Sequence, residues 1–72
     1  MTTVLVFKTS IEKKRDINIL KPFLNQLIVK HGYWNVDLED CDNILRVETN
    51  HVKPETVSQL LHQRGFYCEE LH

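Results

Sequence analysis

Glycine is scarce in this chain, limited to Gly32 and Gly65 among 72 residues. Phosphate-cradling loops need several glycines at fixed spacing so that the backbone can approach the phosphate, and neither glycine sits in such a pattern. Nucleotide-binding loops of that kind are excluded. Cysteine is equally sparse: Cys41 and Cys68 are too few and too far apart for a disulfide framework, so reduced thiols and a cytoplasmic setting are expected. No apolar run approaches the roughly 20 residues that a membrane helix requires, and the N-terminus has no basic stretch leading into an apolar one. Membrane insertion is therefore not expected. An excess of charge of one sign is also missing, with 9 basic against 10 acidic side chains and a net charge of -1. No global field draws the chain to nucleic acid or to an anionic membrane, and a charge-driven partner has to read a local patch.

What the chain does have is apolar periodicity. Its residues are 42% hydrophobic, enough for one small domain spanning residues 1–72. Val4 to Phe7 is a continuous apolar run suited to a central strand. From Ile17, the residues Leu20, Phe23, Leu24 and Leu27 recur at helical spacing, predicting a helix that ends near Gly32. Thr9 with Glu12 has the form of a capping box, and Asp16 is a second candidate cap. Pro22 within the stripe predicts a kink or a late start. Trp34, Val36 and Leu38 alternate with polar residues, and after the turn around Asp40 so do Leu45 and Val47, which predicts a hairpin with one buried face. Pro54 suits the first position of a second helix that buries Val57, Leu60 and Leu61 and ends at Gly65. Phe66 to Leu71 reads as the last strand.

The element order predicts an α+β ferredoxin-like βαββαβ fold, a four-stranded antiparallel sheet with two helices on one face. Within it, the helical stripe Ile17, Leu24 and Leu27, the "VDL" at Val36–Leu38, the strand "ILRVE" and the residues Val57, Leu61 and Gly65–Phe66 resemble the heavy-metal-associated (HMA) domain of copper chaperones and metal-transporting ATPases. The resemblance covers most of the chain and implies that the loop after the first strand once held a Met-x-Cys-x-x-Cys motif for Cu(I). The matching positions here are Lys8, Ser10 and Lys13, an ammonium, a hard hydroxyl and a second ammonium, none of them a soft ligand. The expected function is accordingly a small non-enzymatic module that binds another protein or itself, having lost thiolate metal transfer.

The predicted topology gathers the candidate residues at two poles. At one, Lys13, Lys14 and Arg15 face Glu39, Asp40 and Asp42, either as mutual compensation or as a basic rim for an acidic partner. Cys41 lies there too, in the polar turn between Asp40 and Asp42. At the other pole fall His31, His51 and His72, which can hold Cu, Zn or Ni if their nitrogens converge. These histidines, or Cys41, carry the alternative reading of metal binding through non-standard ligands; otherwise no cofactor is expected. No catalytic residues emerge, since no serine or cysteine is placed with a base and an orienting acid, and Glu69 and Glu70 alternate across a strand. Tyr33 and Tyr67 on an open sheet face suit base stacking, but Asp37, Glu39 and Glu48 repel phosphates, so nucleic acid is not expected. Finally, either Val4 and Val6 or Leu5 and Phe7 must lie on the face that the helices leave open, an apolar strip suited to protein contact.

Overall fold

The computed structural model describes residues 3–28 and 32–71. The elements are β1 (Thr3–Thr9), α1 (Lys14–Leu27), β2 (Tyr33–Asp37), β3 (Ile44–Thr49), α2 (Pro54–Gln63) and β4 (Cys68–Glu70). The strands form one antiparallel sheet in the order β2-β3-β1-β4, the ferredoxin-like arrangement that the sequence predicts.

The register decides the two faces. Leu5 pairs with Val47 and Phe7 with Leu45 across β1 and β3, and all four are buried together with Leu20 and Leu24 of α1 and Val57 and Leu61 of α2. Because successive strand residues alternate sides, both helices cover the Leu5–Phe7 side, and Val4 and Val6 point to the open one. Of the two possibilities that the sequence leaves, the structure takes this one.

α1 begins earlier and ends sooner than its apolar stripe suggests. Asp16 closes its start from inside the first turn, its Oδ2 accepting the backbone N–H groups of Glu12 at 3.1 Å and Lys13 at 3.3 Å, which satisfies donors that the helix cannot. Thr9 is not the cap: its hydroxyl donates to the Asn43 carbonyl at 2.6 Å and accepts the Ile11 N–H at 3.2 Å. The helix runs to Leu27 with Ile28 as its C-cap, short of Gly32. Pro22 sits within it on the exposed side, where it has no N–H to give to the carbonyl of Asn18, itself an exposed residue. Phe23 is covered by Arg64, whose guanidinium stands 3.9 Å from the ring centroid.

α2 ends as predicted. Gly65 takes φ +85°, its N–H bonds to the His62 carbonyl at 3.0 Å and the Phe66 N–H to that of Leu61 at 2.9 Å, a Schellman closure that uses the freedom of glycine. β4 is shorter than the expected Phe66–Leu71, since only Cys68–Glu70 pair in the ladder with β1.

Candidate functional site

The pole near the start of α1 is knitted by backbone. Thr9 N–H donates to the Asp42 carbonyl at 3.2 Å, and Ser10 N–H to the Tyr67 carbonyl at 3.2 Å, while the Ser10 hydroxyl accepts the Tyr67 N–H at 2.8 Å. The loop after β1, the β2–β3 turn and the turn after α2 therefore meet, as the topology predicts. Lys8 is exposed on β1 with Nζ 3.6 Å from Asp42 Oδ1, Ser10 is occupied with Tyr67, and Lys13 is the exposed residue before α1. These three positions hold the loop in place and offer no soft donor.

Lys13, Lys14 and Arg15 are all exposed. Among the described residues no ion pair joins them to Glu39, Asp40 or Asp42, and the carboxylate of Asp42 is taken by Lys8 instead. Asp42 is thus held from β1, and no ion pair among these residues links the rim to the acidic turn. Asp40 Oδ1 accepts the Asp42 N–H at 2.8 Å and Asp37 Oδ1 the Glu39 N–H at 3.1 Å, so this acidic turn shapes its own backbone. Cys41 is exposed between them, and ligand atoms of Asp40, Cys41 and Asp42 lie within 4.8 Å of one another.

The histidine pole is described only in part, since His31 and His72 lie outside the described residues. His51 is exposed, with Nδ1 2.9 Å from Asn50 Oδ1 and 3.5 Å from Thr49 Oγ1. Buried Thr49 also accepts the N–H groups of His51 and Val52 through its hydroxyl, an arrangement that turns the chain out of β3. His62 has a structural partner that its sequence position does not reveal. Its Nε2 stands 3.2 Å from the Cys68 carbonyl, which is an acceptor, so the proton sits on Nε2. Burial pushes the Cys68 thiol above its ordinary value, partly offset by the Ser58 hydroxyl 3.7 Å from the sulfur. Both cysteines are free.

The open sheet face is the larger feature. Tyr33 pairs with Glu48, which pairs with Val4; Asn35 pairs with Arg46, which pairs with Val6; Asp37 pairs with Ile44, which pairs with Lys8, itself beside Glu69. The Leu71 N–H bonds to the Val6 carbonyl at 2.8 Å, which continues the register and sets Leu71 on the same side. Tyr67, next to buried Cys68 and opposite Ser10, is exposed on it too. The exposed large apolar side chains among the described residues are Val4 (53%), Ile19 (45%), Tyr33 (58%), Tyr67 (50%) and Leu71 (39%). All but Ile19 share this one face. Ile44 is the contrast: it lies on the same side yet is 6% exposed, flanked in register by the stems of Lys8 and Asp37. Shielding by charged stems thus covers Ile44 but leaves Val4, Tyr33, Tyr67 and Leu71 exposed.

A shallow cleft of about 190 Å³ lies between Leu27 of α1 and Thr56, Gln59, Leu60 and Gln63 of α2. It falls below the roughly 300 Å³ at which small-molecule sites begin. No helix among the described residues is long and apolar enough to cross a membrane.

Fold and surface together define a small α+β domain with a ferredoxin-like sheet, one face packed under helices and the other open. No family model matches the chain, and neither a curated protein nor a solved structure does.

Proposed function

We propose that this domain is a non-enzymatic protein-interaction module that meets its partner on the open sheet face. The observation that carries this reading is the gathering of Val4, Tyr33, Tyr67 and Leu71 on a single uncovered side. Apolar residues scattered over all sides need no explanation, whereas several of them exposed on one uncovered sheet face suit a contact surface. The rim Lys13–Lys14–Arg15, without an acidic partner in reach among the described residues, is the second candidate contact. This module descends, in the same proposal, from a heavy-metal-associated domain whose ligand loop has become structural. Ser10, bonded twice to Tyr67, supports that step. The test is capture from extracts of the cells that express the chain. Partners held by wild type and by Lys21→Glu are lost with Val4→Asp/Tyr67→Asp; retention of the same partners by that double variant overturns the assignment.

A second reading, uptake of Cu, Zn or Ni at the hairpin turn, rests on the closeness of Asp40, Cys41 and Asp42. Titration of each metal into reduced protein, followed by amide NMR, decides it. Saturable shifts at one equivalent that vanish in Cys41→Ser support this reading, and unchanged spectra overturn it.

A further inference from the structure

The open face is polarised along its strands. At the hairpin end it carries Asp37 and Glu69, with Glu39, Asp40 and Asp42 in the adjoining turn, against Lys8. Lys8 is already committed to Asp42, and the rim Lys13–Arg15 reaches none of Glu39, Asp40 or Asp42 within ion-pair distance. At the other end the rows Tyr33–Glu48–Val4 and Asn35–Arg46–Val6–Leu71 present exposed Val4, Tyr33 and Leu71 around the exposed charges of Glu48 and Arg46, while Tyr67 stands at the hairpin end opposite Ser10. One surface thus offers exposed apolar side chains, interrupted by Glu48 and Arg46, and, roughly 3.3 Å per residue along the strands, an end richer in carboxylates within the length of a single short segment.

From this complementarity we infer that the open face binds a cationic amphipathic polypeptide segment, its apolar side chains on Val4, Val6, Tyr33 and Leu71 and its Lys or Arg residues toward Asp37, Glu69 and the acidic turn. The inference rests on the interaction reading above and adds the chemistry of the partner. An acidic partner is disfavoured on this face by the same carboxylates, since like charges brought together at an interface are costly. Nucleic acid meets the same repulsion. A purely apolar partner leaves the carboxylate end of the face unpaired and partly desolvated, which also costs binding.

The probe is a synthetic helical peptide of leucine and lysine in amphipathic register, added to isotopically labelled full-length chain and followed by amide NMR. A second peptide has glutamate in place of each lysine, and a third serine. Saturable shifts on β1, β3 and Tyr67 with the lysine peptide, weakened by added salt and by at least about tenfold in Asp37→Lys/Glu69→Lys, support the assignment. Equal shifts with all three peptides overturn it while leaving the face a protein-binding surface. Shifts that appear with protein concentration alone assign the face to a second copy and overturn it too. No shift with any peptide overturns it as well, and the extract experiment then decides the broader reading by itself.

Discussion

Gly65 shows how one residue sets the end of an element. At φ +85°, a Cβ there meets no atom within 4 Å, so Gly65→Ala is charged for backbone conformation alone. The left-handed region costs an L-residue about 1 kcal/mol or somewhat more. Urea denaturation of Gly65→Ala is expected to show a loss of about 1 kcal/mol with an unchanged slope, because the surface exposed on unfolding is the same. The two cysteines separate just as clearly. Cys41 is exposed and Cys68 buried, with its thiol pushed up from the ordinary 9.0 by desolvation. A thiol reagent at neutral pH is expected to label Cys41 promptly and Cys68 only as fast as the fold opens. Comparable rates contradict this arrangement. The same burial gives a pH dependence. The unfolded chain releases the Cys68 proton near pH 9 while the folded chain holds it, so the unfolded state binds fewer protons above that pH. Stability is then full below about pH 9 and falls as pH rises toward the folded value, by at most about 1.4 kcal/mol per unit. Denaturation midpoints from pH 8 to 10.5 check it, and Cys68→Ala is expected to flatten that part of the curve.

At the scale of elements, Thr9 ties three pieces together. Its hydroxyl bonds the Asn43 carbonyl and the Ile11 N–H from a buried position, so Thr9→Val keeps the shape and orphans two polar groups. A loss of about 1–3 kcal/mol is expected, measured by thermal unfolding; a change under a few tenths removes the clamp from the account. Much of this architecture was legible beforehand. The apolar periods of α1 and α2 and the alternation in β2 and β3 fix the element order, because burial of one face is the dominant driving force and its period is written in the residue types. Pro54 and Gly65 mark α2 through backbone geometry alone. What could not be read depends on partners far along the chain. Thr9 has the composition of a cap, but Asn43, well downstream, takes its hydroxyl, and Asp16 closes the helix instead. The strip Val4–Phe7 is apolar on both sides, so its period is silent about which side is open until pairing with Leu45 and Val47 decides. The rim Lys13–Arg15 and the acidic turn share a pole, as topology requires, yet Asp42 is captured by Lys8 of β1.

For the whole molecule, size sets how sharply core and surface must differ. A 72-residue domain has roughly 4–11 kcal/mol of stability at the usual 0.05–0.15 kcal/mol per residue. Phe7, fully buried between sheet and helices, loses about 3–5 kcal/mol when truncated to alanine, which removes a large part of that total. Phe7→Ala is therefore expected to unfold well below the wild-type temperature or to lose its cooperative transition. Val4 and Tyr67 are apolar too, and composition alone gives no reason to treat them differently. Their exposure does: about half of their surface stays in water on folding, so Val4→Ser/Tyr67→Ser is expected to shift stability by clearly less than Phe7→Ala does. Circular dichroism melts of the two variants against wild type make the comparison. If the surface pair costs as much as Phe7→Ala, the open face is part of what holds the domain together, and its apolar residues are explained without a partner. If it costs little, those residues gain nothing for the isolated fold, and a surface on the other side of an interface is what they remain to be explained by.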